Sequence, residues 1–197
     1  MRSLLFQLLA LLVLCNLCAC QTTRTRSGTT QSSDATNRGK KTIDLPMRNN
    51  AWALLHDLLN EEKHLSKILI IKRESSELNR LVKNISEVAD RGADRLKALA
   101  KHESGVDLAA TALPPGEKAT RESIGKMKQH LLLHSKGAEF EFQLLLTQSE
   151  ALSYGTHLAL VAAENEPQPA RAQEFSALSA QLKSLHEQVL AMLRSRR

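Results

Sequence analysis

Apolar residues recur with the 3.6-residue period of an α-helix from Asn50 almost to the end of the chain. Turn signals interrupt this pattern, and the uninterrupted stretches predict helices at about 50–73, 75–101, 117–134, 138–164 and 169–194. In each stretch one stripe of residues is predicted to face a core. These stripes are Ala51, Leu55, Leu58, Leu65 and Leu69; Leu78, Leu81, Ile85, Val88, Leu96 and Leu99; Ile124, Met127 and Leu131; Phe140, Leu144, Leu145, Leu152, Ala159 and Ala162; and Phe175, Leu178, Leu182, Val189 and Leu193.

The connections between these stretches suggest how the helices are arranged. Ser75 or Ser76 can cap the second helix, residues 102–117 form a longer loop, and Lys136-Gly137 marks a break. Aromatic residues make up only 3% of the chain, and the apolar share comes from Leu and Ala, as expected for helices packed on helices. We therefore predict an all-α fold: an antiparallel four-helix bundle with a kinked or extra helix before the third long helix.

The first residues have the composition of an export signal. "MRSLLFQLLALLVLCNLCAC" has one Arg, then a short Leu-rich run, then small side chains, which predicts a signal peptide over residues 1–19. Leu17-Cys18-Ala19-Cys20 resembles the bacterial lipobox. The resemblance implies that Cys20 is the lipid-attachment site and that Gln21 directs the protein to the outer membrane. The alternative is an ordinary secreted protein that is cleaved near Cys20 and keeps an unpaired thiol.

All three cysteines lie in residues 15–20, so cleavage before Cys20 would leave a single cysteine and no disulfide or zinc framework. The segment 20–45 contains Thr, Ser, Gly and basic residues without an apolar period, which predicts a lipidated cysteine followed by a flexible basic tether. The helical bundle domain is then predicted over 46–197.

The net charge of +6 comes from the two ends of the chain. Residues 24–41 and the last four residues are strongly basic, whereas the helical body between them is slightly acidic. A nucleic-acid-binding domain would concentrate positive charge on one groove-facing helix, so we expect no nucleic-acid partner. Basic ends next to lipid headgroups are the simpler interpretation.

Several segments of the helices resemble a known family. "EEKHLSKILIIKRESSEL", "DRLKALAKHESGV", "GAEFEFQLLLTQ" and "FSALSAQLKSLHEQV" are similar to a ferritin-like family of exported bacterial proteins, domain of unknown function number 4142. The resemblance covers about residues 50–193 and implies a ferritin-like four-helix bundle without an established activity. Ala89 and Leu152 stand where the family has histidines, and His186 retains the family histidine of the last helix.

Two groups of residues are candidates for metal chemistry. A ferritin-type di-iron site needs two Glu-x-x-His pairs and two further Glu residues, and Glu61-x-x-His64 is a single such pair. His130 and His134 lie one helical turn apart, which suits two metal ligands. Surrounding lysines equally suit a solvated surface at these two histidines, and no Glu follows His130 as a zinc protease requires.

Glu62 and Gln148 interrupt the apolar stripes of their helices, and His186 borders the last stripe. Because buried polar groups need partners, these three residues either form a polar network inside the bundle or lie at its edge with partial exposure. The chain contains no phosphate-binding Gly-rich loop, no Ser-His-Asp arrangement and no cysteine paired with a base.

We therefore expect a non-enzymatic envelope lipoprotein, without a cofactor or resident metal, attached to the lipid bilayer through acylated Cys20 and facing the periplasm. One alternative is a metal-binding or oxidative-stress-protective protein that uses Glu61, Glu62 and His64. Another is a helical scaffold whose exposed stripe docks an envelope protein.

Overall fold

A computed structural model describes residues 43–70, 72 and 75–196 of the 197-residue chain. Within these residues the fold is all-α, which confirms the predicted class at that level. The helices are α1 (Leu45–Glu62), a 3-10 helix (Leu65–Ile70), α2 (Ser76–Ala100), α3 (Pro115–His134), α4 (Gly137–Glu164) and α5 (Pro169–Ser195). The predicted signal peptide, the predicted lipid-attachment residue Cys20 and most of the predicted tether lie outside the described residues.

Helix α1 begins five residues before the predicted start at position 50 and ends eleven residues before the predicted end at 73. Its start is set by Asp44, whose side chain accepts a hydrogen bond from the Met47 N–H at 2.9 Å. Pro46 also suits the first turn, because it lacks the N–H that this turn leaves unpaired. The predicted single helix is therefore two elements, α1 and the 3-10 helix.

Helix α2 agrees with its prediction. Ser75 is the N-cap, and its hydroxyl accepts a hydrogen bond from the Leu78 N–H at 3.3 Å. Four residues of the predicted stripe are buried, and the other two are partly buried against the same core. The stripes predicted for α4 and α5 also face this core.

The predicted inward stripe of α3 is wrong. Ile124, Met127 and Leu131 are 43%, 54% and 42% exposed, and α3 contains no buried residue. The end of α3 is held instead by Lys72, whose ammonium group donates hydrogen bonds to the Leu133 and Ser135 carbonyls at 3.2 and 2.6 Å. The amphipathic pattern correctly predicted a helix here, but the core is surrounded by the other four long helices, so this side of α3 stays exposed.

Helices α1, α2, α4 and α5 surround the core, with packing between α1 and α2, α1 and α4, α4 and α5, and α2 and α5. At one end of the bundle the Asp44 N–H donates to Asn165 Oδ1 at 3.2 Å, so α1 starts where α4 ends. At the other end the Ser75 N–H donates to Glu141 Oε1 at 3.2 Å, so α2 and α4 start together. The long connection through α3 returns the chain between these ends, which makes α2 and α4 parallel.

Side chains of α1 and α5 pack closely against Gly155 of α4. A Cβ atom at this position would lie 2.9 Å from Leu58 Cδ2 and 3.3 Å from Leu182 Cδ1. The absence of a side chain therefore lets α1 and α5 pack closely on α4. Among the described residues, no helix is long and apolar enough to cross a membrane.

Candidate functional site: a buried carboxylate and amide

Glu62, the last residue of α1, lies next to Gln148, in the middle of α4, so two of the three residues considered for a polar network come together. Gln148 is 2% exposed, and its side chain lies close enough to the Glu62 carboxyl group to lower that group's pKa by hydrogen bonding. Two oxygen atoms of the pair, Glu62 Oε2 and Gln148 Oε1, are buried without a hydrogen-bond partner. Unpartnered buried acceptors are costly, so this pair is a candidate site; within the described bundle the Trp52 Nε1–H is also buried without a partner.

The backbone around Glu62 is fixed by the corner that follows α1. The Ser86 hydroxyl of α2 donates to the Glu62 carbonyl at 3.3 Å and accepts from the Ser66 N–H at 2.9 Å. These bonds join the end of α1, the start of the 3-10 helix and α2. The Glu62 side chain is therefore held against α4 by its backbone as well as by Gln148.

Burial raises the pKa of Glu62 to about 7. The hydrogen bond from Gln148 opposes this shift, the charge of Glu61 adds to it, and the charge of Lys128 opposes it. A protonated Glu62 would supply an O–H donor for the unpartnered oxygen of Gln148, and the Gln148 amide N–H would be free to donate to the other carboxyl oxygen. One proton would thus satisfy both unpartnered acceptors, so the arrangement suits a neutral Glu62.

Glu61 and His64 are more exposed than the Glu62 carboxyl group. Burial and then the charge of Asp57 raise the pKa of Glu61, while burial and nearby lysines lower the pKa of His64. The His64 N–H donates to the Glu61 carbonyl at 3.2 Å, so a backbone hydrogen bond joins the two residues. Within the described part of the chain, no three His, Cys, Asp or Glu side chains come together in a possible metal site.

His130 and His134 lie on the exposed surface of α3. Their rings are stacked, with centroids 4.1 Å apart and planes inclined by 26°. His134 Nδ1 is 2.8 Å from the His130 carbonyl oxygen, which engages one of its two possible ligand atoms. The predicted pairing on one helical face is thus present, and no third candidate ligand joins it within the described chain.

His186 does not join the Glu62–Gln148 pair. Its Nε2 lies 3.0 Å from the hydroxyl of Ser149, the residue that follows Gln148. His186 is half-buried, as its position at the border of the last stripe predicts. Of the three predicted polar residues, two contact each other and the third has a separate partner.

A second polar cluster lies at the end of the bundle where α1 starts. The sequence pattern did not predict it. Arg48 approaches Glu103 at 2.9 Å and Glu166 at 3.5 Å, and Arg171 approaches them at 2.6 and 2.8 Å. The two guanidinium groups lie 5.4 and 5.7 Å from the ring centroid of buried Trp52. Arg48 precedes Trp52 by one helical turn and so lies on the apolar stripe of α1. A cation at such a position was the one sequence signal that could have indicated this cluster.

This arginine–glutamate ring joins four parts of the chain: α1, the loop after α2, the α4–α5 turn and α5. Its charges balance, and hydrogen bonds from Arg171 and then Arg48 lower the pKa of Glu103 against the effect of burial. Because its cations already contact carboxylates, the ring is suited to fastening the bundle end rather than to binding an anion.

The described surface also has a shallow groove of about 250 Å³ between α2 and α5, lined by Asn84, Arg91, Gln181 and Gln188 among others. These side chains do not include a nucleophile paired with a general base. Comparisons with protein families, with curated proteins and with solved structures found no match for this chain.

Proposed function

We propose that this chain is an exported lipoprotein of the bacterial cell envelope whose helical bundle has a binding or structural role without enzymatic activity. The observation that carries the proposal is Leu17-Cys18-Ala19-Cys20 at the end of a short apolar run. In a lipoprotein, acylated Cys20 would become the first residue. Several acyl chains on one residue give stable anchoring, because each buried methylene contributes about 0.8 kcal/mol.

The proposal includes the location. Gln21 after the acylated cysteine favours the outer membrane, with the bundle facing the periplasm. Residues 21–42 then separate the lipid from the first described residues.

We also propose that the bundle is ferritin-like. The support is the helix order: two antiparallel helices, a long crossing, and two more antiparallel helices, with α2 and α4 parallel. One long crossover is the connection that ferritin-like bundles use. The crossing here contains a whole helix, α3.

Metabolic labelling with an alkyne analogue of palmitate tests the anchor. The wild-type protein and Cys18→Ser, which keeps a small residue before the cleavage site, should incorporate label, while Cys20→Ser should not and should lose its membrane fractionation. An unlabelled wild type, or equal labelling of Cys20→Ser, would contradict the proposal.

The second candidate function is metal binding, which the unpartnered oxygen of buried Glu62 favours. The test is the metal content of the full chain purified from envelopes, before and after reconstitution with iron, manganese or zinc. Stoichiometric metal that is lost in Glu62→Ala and His64→Ala but kept in exposed His157→Ala would establish this function. Absence of metal after reconstitution would eliminate it.

A further inference from the structure

Helix α3 carries an apolar surface that the bundle does not cover. Ile124, Met127 and Leu131 are spaced by three and four residues, so they lie on one side of the helix, and each is more than 40% exposed. Leu132, on another side of α3, packs against the core. The exposed side is thus the one that faces away from the bundle.

The apolar surface continues onto α4. Lys128 forms an ion pair with Glu150, which brings these two positions of α3 and α4 together. Leu131 and Leu146 each lie about one turn from this pair, toward the α3–α4 turn, so they are at the same level. Leu146 is 41% exposed. We call Ile124, Met127, Leu131 and Leu146 the α3 surface.

The charge around the α3 surface distinguishes it from the rest of the bundle. Residues 115–136 carry five basic and two acidic side chains, whereas the remainder of residues 43–196 carries fifteen basic and eighteen acidic ones. Arg121 and Lys128 are paired with Glu117 and Glu150. The other three basic residues, Lys118, Lys126 and Lys136, are exposed on α3 and at its end.

Helix α3 begins close to the start of α1, the first helix after the proposed anchor in the sequence. The Ala112 N–H, just before α3, donates to Asn50 Oδ1 at 2.8 Å, so α3 begins at the end of the bundle where α1 begins. Twenty-two residues separate Cys20 from Ile43, and a chain of that length reaches at most about 75 Å. A 20-residue helix is about 30 Å long, so such a tether lets α3 reach the anchoring bilayer.

We infer that α3 is a second membrane contact, which lies along the bilayer surface with the α3 surface among the upper acyl chains and its lysines among anionic headgroups. Exposed apolar residues beside basic ones are typical of interfacial helices. A second copy of this chain is a poorer occupant, because its own basic α3 would be repelled. The inference rests on the proposed lipid anchor, which keeps the bundle close to the membrane and makes a weak contact sufficient.

Lipid quenching of tryptophan fluorescence tests the inference. The full chain, carrying either Met127→Trp or the matched control Asn84→Trp on the exposed side of α2, is reconstituted into phosphatidylcholine–phosphatidylglycerol vesicles with acyl-brominated lipid. The native Trp52 is 0% exposed and provides the same background in both proteins. Because an interfacial helix immerses its apolar side by about 5–10 Å, we expect about twofold or greater excess quenching from position 127. Replacing phosphatidylglycerol by phosphatidylcholine should reduce it.

The outcomes separate the contact from the anchor. Equal quenching from positions 127 and 84, including none from either, overturns the α3 contact even where the chain floats with vesicles. Excess quenching from position 127 in a Cys20→Ser background at high lipid concentration supports the contact even if the wild-type chain proves not to be acylated. A single protein crosslinked in cells through position 127, without lipid quenching, overturns the inference in favour of a docked protein.

Discussion

Replacing Glu62 with Gln should remove a pH-dependent cost from the stability of the bundle. The glutamine is nearly isosteric, and its amide donates to the unpartnered oxygen of Gln148 at any pH. In the native protein that donor exists only while Glu62 is protonated. The substitution therefore mimics the neutral acid and eliminates the titration.

The magnitude follows from the pKa of Glu62, which burial raises from 4.5 to about 7. Because the folded state binds this proton more tightly than the unfolded state, the contribution of Glu62 to stability is fully present below pH 4.5. It is lost as the pH rises through about 7. At about 1.4 kcal/mol per pKa unit, the ionised group costs roughly 3 kcal/mol above neutral pH.

Urea unfolding, followed by the fluorescence of Trp52 and by circular dichroism, measures this difference. We expect Glu62→Gln and wild type to be about equally stable near pH 4, and the variant to be more stable by roughly 3 kcal/mol near pH 8.5. Glu187→Gln, at an exposed position on α5, is the matched control and should show no such divergence. A Glu62→Gln variant that loses stability at high pH, or tracks wild type throughout, would refute the reasoning.

Two further predictions concern packing and charge in the bundle. Arg171→Ala would leave buried Glu166 and half-buried Glu103 with Arg48 as their one remaining cation in the ring, and should reduce the free energy of unfolding by about 3 kcal/mol. Exposed Arg95→Ala should cost less than about 1 kcal/mol, and comparable losses would contradict the ring's role. Gly155→Val should destabilise by about 1–3 kcal/mol through overlap with Leu58, whereas Gly125→Ala, with open space around it, should stabilise by roughly 1 kcal/mol. Urea unfolding distinguishes these signs, and a stabilising Gly155→Val would refute the close approach.

The apolar period was sufficient to predict α2, α4 and α5 and their inward residues, because those helices have a core on one side only. It failed for Ile124, Met127 and Leu131 because a period shows that a helix has an apolar side but not that another helix covers it. Both ends of α1 were predicted wrongly. Its start is set by two local signals, Asp44 as N-cap and Pro46 in the first turn, whereas the corner after Glu62 depends on Ser86 in another helix.

Part of the candidate site could be predicted from the sequence. Glu62 and Gln148 were identified because polar residues interrupted their stripes, but their contact with each other, and His186's contact with Ser149, depend on how α4 and α5 are rotated. The arginine–glutamate ring joins residues more than 60 positions apart, such as Arg171 and Glu103, and no local pattern indicates such pairs.

The central claim is that the mature protein begins at a lipidated Cys20. Intact-mass and N-terminal peptide mass spectrometry of the protein purified from bacterial membranes tests it directly. The account predicts that residues 1–19 are absent and that Cys20 carries diacylglycerol. A protein that retains Met1, or that begins near Cys20 with an unmodified thiol, would contradict the account.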